Sequence, residues 1–143
     1  MTRLKQLLDN KGASAVTIEQ SASLADAIRI MHQHRVGSVI IPSSSGEPLG
    51  ILTERDVIRL FAEGHTDFEK LRVQDCMTTG LMLGNPDDDT EQVLVLMTEK
   101  RFRHLPIVYE GHIVGVISIG DLVKAKLQET SAEAKALRDY IHS

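Results

Sequence analysis

A short motif occurs twice in this chain, and few features restrict a fold more than an internal duplication. Gly50-Ile51-Leu52-Thr53-Glu54-Arg55-Asp56 returns as Gly115-Val116-Ile117-Ser118-Ile119-Gly120-Asp121. Each copy has a glycine, an apolar strand end, a hydroxyl residue and an aspartate three positions later. The similarity extends outward: Ala27 aligns with Val93, Met31 with Met97, Val36 with Phe102 and Ile41 with Ile107, all offset by 66. From Gly50 to Asp56 the offset is 65, a one-residue gap that a turn can absorb. Each copy spans about 50–60 residues, too short to bury its surface well alone. One domain of two halves packed together is therefore expected.

Composition fits that picture. The 143 residues are 42% hydrophobic and 25% charged, enough for a globular core. No apolar run approaches the roughly 20 residues that span a bilayer, so no membrane partner is expected. The opening Met1-Thr2-Arg3-Leu4-Lys5-Gln6 is too polar for a secretory leader. A single cysteine, Cys76, forms no internal disulfide, which suits a reducing cytoplasmic location. A net charge of −4, with two Tyr, three Phe and no Trp, argues against a nucleic-acid partner. Such a partner wants a basic face and stacking platforms.

The same order of elements reads out twice. Ser23 precedes a helix whose Leu24, Ala27, Ile28 and Met31 share one face. Val39-Ile40-Ile41 reads as a buried strand stopped by Pro42 and the turn Ser43-Ser44-Ser45-Gly46, and Pro48 to Leu52 as its hairpin partner. A helix follows from Glu54 to about Ala62, and an apolar stretch from Ala15 to Ile18 could add a strand. In the second copy the helix falls near Asp88 to Lys100, the strands at Leu105–Val108 and His112–Ile117 around Glu110-Gly111, and a further helix from about Ile119. Gly64 to Asp75 is a polar connection with one helical turn. Terminal helices over Thr2–Leu8 and Ala132–Ile141 carry the apolar stripes Leu4, Leu7, Leu8 and Ala134, Leu137, Ile141. Such stripes cover a core or meet a partner subunit. The expected class is α/β (α+β), with two small sheets and flanking helices.

The doubled Gly-apolar-apolar-[Thr/Ser]-x-x-Asp resembles the signature of CBS domains, the family named for cystathionine β-synthase. So do Arg35-Val36-Gly37-Ser38-Val39-Ile40-Ile41 and Arg101-Phe102-Arg103-His104-Leu105-Pro106-Ile107-Val108. The resemblance implies a Bateman module, a stand-alone pair of bacterial type. It has tandem β-α-β-β-α repeats related by a pseudo-twofold axis, repeat one over 13–64, repeat two over 76–128 and a C-terminal helix over 129–143. It further implies two clefts between the repeats that bind adenosine-containing ligands, a regulatory rather than catalytic role, and pairing through helices into a flat homodimer. Carried onto this sequence, one cleft takes the ribose on Thr53 and Asp56, the adenine between Leu83 and Phe102, and the phosphate near Arg103 and His104, with Lys124 swinging in. The other takes the ribose on Ser118 and Asp121, with Thr17, Ile18, Val36, Gly37 and Ser38 lining the base.

The residue chemistry suits these roles. An ionised carboxylate accepts from both vicinal hydroxyls of a ribose through charge-assisted bonds. A phosphate needs donors, and Arg103 supplies a planar fork while His104 adds another, more strongly when protonated. Glycine at 37 lets a ligand approach the backbone. Because repeat two offers Arg103-His104 where repeat one has Gly37-Ser38, the Thr53/Asp56 cleft is expected to prefer phosphorylated ligand. The Ser118/Asp121 cleft, without those donors, is expected to take a nucleoside, a weaker nucleotide or nothing, and stays open to S-adenosylmethionine.

Simpler readings stand beside these. Thr53-x-x-Asp56 and Ser118-x-x-Asp121 also fit N-terminal capping boxes, and Arg101 to His104 fits a solvated helix end. His32 and His34 diverge by about 200 degrees on a helix, which speaks against a shared metal. Asp87-Asp88-Asp89 lacks the glycine and glutamate of a calcium loop and is expected to start a helix. Cys76 reads as a small apolar residue. The expected function is a non-catalytic sensor of adenine nucleotide, AMP first, with ATP, ADP or NAD possible, acting on an unidentified effector protein. The alternatives are an oligomerisation module with vestigial clefts and an S-adenosylmethionine-binding module.

Overall fold

The computed structural model describes residues 2–11 and 15–142. The expected start of repeat one at 13 and the last residue of the terminal helix therefore lie outside the described residues. The elements follow in the order α1 (Leu4–Lys11), α2 (Leu24–His34), β1 (Ser38–Pro42), β2 (Pro48–Thr53), α3 (Glu54–Ala62), α4 (Val73–Cys76), α5 (Thr90–Lys100), β3 (His104–Tyr109), β4 (His112–Ser118) and α6 (Ile119–His142). Two antiparallel hairpins, β1–β2 and β3–β4, form the two sheets, giving the mixed α/β class read from the pattern.

The duplication is exact at the level of register. Ser38 faces Thr53 as His104 faces Ser118, and Ile41 faces Gly50 as Ile107 faces Gly115. Both ladders then slip by one residue at the same point, between Ile41 and Pro42 and between Ile107 and Val108. Such a bulge bends the hairpin and increases its twist. The gap in the repeat falls in the turn, where Ser43 N bonds Glu47 O in the first copy and Glu110-Gly111 suffices in the second.

The repeat helices also begin and end alike. Ser23 caps α2, its Oγ accepting from Asp26 N at 3.0 Å. Asp89 caps α5 by accepting from Gln92 N at 3.2 Å. Helix α5 thus starts after the aspartate run, because Asp88 is used earlier, accepting from Asn85 N. Both helices stop on an arginine in the left-handed region, Arg35 at φ 54° and Arg101 at φ 59°, which turns the chain sharply into the next strand.

The stretch from 15 to 18 forms only a single parallel bridge, Thr17 to Ile40, matched in repeat two by Gly84 to Ile107. Each repeat has its own core. Leu24, Ala27, Met31, Val39, Ile41 and Leu52 fill the first, and Val93, Met97, Leu105, Ile107 and Ile117 fill the second. Helix α1 belongs to the second core although it precedes the first repeat: Leu4 and Leu7 are buried there. Leu4 N and Lys5 N donate to the carbonyls of Asp88 and Pro86, fixing the helix. The stripe on α1 therefore covers a core.

The other terminal stripe behaves differently. The helix expected from Ala132 is the continuation of α6, one helix of 24 residues. No glycine or proline interrupts the chain after Gly120, so nothing stops the helix there. Its Leu137 and Ile141 are 61% and 67% exposed. Cys76 is buried in α4 as a free thiol, and burial, with the charge of Asp75, pushes its pKa up. It behaves as a small core residue.

Candidate functional site

The two hydroxyl–aspartate pairs sit where a strand gives way to a helix, β2 into α3 and β4 into α6. Both are capping boxes. Asp56 Oδ2 accepts from Thr53 N at 2.9 Å and from Thr53 Oγ1 at 3.1 Å, while Thr53 Oγ1 accepts from Asp56 N at 3.4 Å. Asp121 Oδ2 accepts from Ser118 N at 2.9 Å, and Ser118 Oγ accepts from Asp121 N at 3.0 Å. The capping reading is thus realised in both copies. It leaves Oδ1 of each aspartate lightly used: Arg59 reaches Asp56 Oδ1 only at 3.5 Å. A cap and an acceptor for a ligand are compatible roles, since the same side chain closes the helix and faces the adjoining space.

That space is a cleft between repeats in each case. The first, about 790 Å³, is lined by Thr53, Glu54, Arg55 and Asp56 from repeat one and by Lys100, Arg101, Phe102, Arg103 and His104 from repeat two. The second, about 800 Å³, joins Ser118 and Asp121 of repeat two to Thr17, His34, Arg35, Val36, Gly37 and Ser38 of repeat one. Each volume suits a small ligand of nucleotide size. Since the volumes are nearly equal, any difference in what the clefts hold must come from their linings.

Eleven of the residues singled out from the sequence line a cleft, and four details differ. Ile18 lies in the first core at 8% exposure: Thr17 faces the cleft, and its neighbour in an extended chain points to the opposite side. Leu83 is 49% exposed but lines neither cleft, and Leu81 and Met82 take its place in the first. Lys124 lines neither as well and lies exposed on α6. His104 lines both clefts, not one.

His104 is a hinge point of the electrostatics. A Cβ placed on Gly37 would lie 3.2 Å from Glu54 Oε1 and 3.3 Å from His104 Nε2, so a side chain there would crowd both groups. Burial lowers the His104 pKa; Glu54 raises it, Arg103 and Lys11 lower it and Asp121 raises it, with a net result below the ordinary value. At neutral pH the imidazole is therefore uncharged, offering one donor and one acceptor rather than two donors.

Sequence reasoning missed several cations. Arg55, Lys100 and Arg101 join Arg103 in the first cleft, four cations against the two carboxylates of Glu54 and Asp56. Arg35 and Lys11 line the second against Asp121 alone. Arg35 and Arg101 were legible in principle, since both open the quoted repeat segments at an offset of 66. Lys11 was not, because its place depends on where α1 docks. Its Nζ donates to Asp121 Oδ2 and to Val116 O, each at 3.0 Å. Burial raises the Asp121 pKa, but the Ser118 amide and the Lys11 ammonium more than offset it, and the carboxyl stays below its usual range. Among the described residues, no cluster of three or more His, Cys, Asp or Glu is placed to hold a metal ion. No helix among them is long and apolar enough to cross a membrane.

Comparison with known proteins places these features in context. The sequence model of the CBS domain matches the chain twice, over residues 12–63 and 73–128. The CBS domain-containing protein YhcV of Bacillus subtilis is 30% identical over 140 residues, covering 97% of each chain. Among solved structures, the CBS-domain containing protein ATU1752 from Agrobacterium tumefaciens superposes with a TM-score of 0.82 at 37% identity, covering 87% of this chain and 99% of that one. The CBS domain pair of protein MJ0100, solved in complex with 5′-methylthioadenosine and S-adenosyl-L-methionine, shares the fold with a TM-score of 0.78. It is 21% identical and covers 90% of this chain and 98% of that one.

Proposed function

The chain belongs to the CBS domain family, and on that premise we propose that it is a regulatory module holding an adenine nucleotide, AMP first, between its repeats. One observation carries this reading. In the first cleft, a carboxylate–hydroxyl pair suited to a ribose faces Arg103 across a single cavity, with Phe102 on the same wall. Ribose hydroxyls are donors that a carboxylate accepts, and a phosphate is an acceptor that guanidinium and ammonium groups fill. The surplus of cations in this cleft favours a phosphorylated ligand over a neutral nucleoside. That MJ0100 was solved with two adenosine compounds supports adenosine as the common part.

No catalytic step is assigned to these residues. Occupancy would act by favouring one arrangement of the repeats over another, and so reach an effector protein. The exposed apolar residues Ile58 and Phe61 on α3, 68% and 66% accessible, offer a face for a homodimer. A cytoplasmic setting, where adenine nucleotides abound, fits the same reading.

Thermal-shift measurement with AMP, ADP, ATP, NAD and S-adenosylmethionine tests it. A ligand present at 100 times its Kd stabilises the folded state by about 2.7 kcal/mol, which raises the melting midpoint by several degrees. The largest rise is expected with AMP. No rise with any of the five would overturn nucleotide sensing and favour an oligomerisation module, for which the exposed Leu137 and Ile141 on α6 already provide a surface.

A further inference from the structure

The second cleft contains a cation that neither repeat supplies. Lys11 ends α1, a helix present once, whose Leu4 and Leu7 are buried in the core of repeat two and whose amides at Leu4 and Lys5 bond that repeat's backbone. The lysine stem therefore starts from a fixed point. Its ammonium holds Asp121 Oδ2 and Val116 O at 3.0 Å each. Two of the three N–H groups are so used, and the third is left for the cleft. The first cleft has nothing equivalent: the cation nearest Asp56 is Arg59 of the same helix, 3.5 Å away.

We propose that Lys11 is the specificity-determining residue of the second cleft, selecting an adenosine ligand with an anionic 5′ substituent against one with a cationic 5′ substituent. The inference deepens the nucleotide reading and rests on it. Asp121 is placed to accept the ribose diol, and the 5′ carbon of a ribose lies one ring's width from that diol. A lysine head group already at Asp121 reaches a 5′ phosphate by rotating about its own side chain, without any movement of α1. A phosphate gains a charge-assisted bond there. A sulfonium meets a like charge instead, and Arg35, which lines the same cleft, adds to the repulsion. Where comparison of Gly37-Ser38 with Arg103-His104 leaves this cleft open to S-adenosylmethionine, the proposal instead favours an anionic 5′ substituent. Of the two basic side chains that line it, Arg35 comes from repeat one and Lys11 from outside the repeats.

The test uses the full chain carrying Asp56→Ala, so that the second cleft is read alone, and calorimetric titration with AMP, 5′-methylthioadenosine and S-adenosylmethionine. Adding Lys11→Met, which keeps the stem and removes the charge, is expected to lower AMP affinity about tenfold, the scale of one hydrogen bond to a charged group. The same change should raise S-adenosylmethionine affinity severalfold and leave the neutral thioether nearly unchanged. Lys11→Arg should keep the preference for AMP. An AMP-to-S-adenosylmethionine affinity ratio unchanged by Lys11→Met overturns the role of Lys11 while leaving the nucleotide reading intact. Failure of all three compounds to bind when Lys11 is present overturns the nucleotide reading of this cleft, and the inference with it.

Discussion

Asp56→Asn is expected to weaken AMP binding at the proposed Thr53/Asp56 site by about 100-fold, and adenosine there to a similar degree, as read by calorimetric titration. The size follows from removing a charged acceptor for two ribose hydroxyls, at about 1.5 kcal/mol or more for each bond to a charged group and 1.4 kcal/mol per factor of ten. Asparagine is the informative choice because Asp56 also closes the capping box of α3. An amide oxygen still accepts from Thr53 N, so the helix start survives and only the charge is lost. Alanine removes both, and its extra effect on stability, about 1 kcal/mol for a lost cap, can be subtracted. Arg103→Ala provides the contrast. It should cost AMP about tenfold and leave adenosine nearly untouched, because the role proposed for the guanidinium is toward the phosphate alone. Equal losses of AMP and adenosine at Arg103 would remove the phosphate assignment.

Gly50→Ala is expected to lower stability markedly, because its added methyl group would press on backbone as well as side chain. A Cβ at Gly50 would lie 2.6 Å from Met77 Sδ, 2.9 Å from Met77 Cγ and 3.0 Å from the carbonyl oxygen of Thr78. Methionine can move aside; the Thr78 carbonyl cannot, because it accepts from Ile51 N at 3.0 Å while Thr78 N donates to Ile51 O at 2.9 Å. Relief requires breaking that bridge, and overpacking of this kind costs about 1–3 kcal/mol. The usual gain from replacing glycine, up to about 1 kcal/mol through the unfolded chain, does not offset it. Chemical denaturation should show a lower midpoint at an unchanged slope. Because Ile51 and Thr78 also line the first cleft, AMP affinity should fall in the same variant. A midpoint equal to that of the parent would show that the strand crossing is softer than these contacts imply.

The glycine that opens each repeated motif illustrates what could and could not be read from sequence. Its position in a duplicated strand was visible; its reason was not, since the chain that crosses Gly50 arrives from α4, more than 25 residues later. Local signals fared well for local causes. Ser23 as a cap, the hairpin strands within a residue or so and the two capping boxes all follow from spacing within a few positions. Features that depend on long-range docking did not follow. Lys11 meets Asp121 across 110 residues, and no pattern near either residue marks the pair. Ile18 and Lys124 were misplaced for a simpler reason. The first ignores that neighbours in an extended chain face opposite ways, and the second lies exposed on α6, outside both linings. The run of cations around Arg101 was visible as charge, but only the meeting of the two repeats turns a helix end into a cleft wall.

The most direct measurement is a titration of the isotopically labelled full chain with AMP, following backbone amide resonances by two-dimensional NMR. The nucleotide reading expects saturable shifts concentrated at Thr53, Glu54 and Asp56 and at Phe102, Arg103 and His104, the two faces of one cleft contributed by different repeats. Weaker changes should follow at Ser118, Asp121 and Lys11 as the second cleft fills. Shifts that fail to saturate, or that gather on α6 and leave both clefts unmoved, would contradict it.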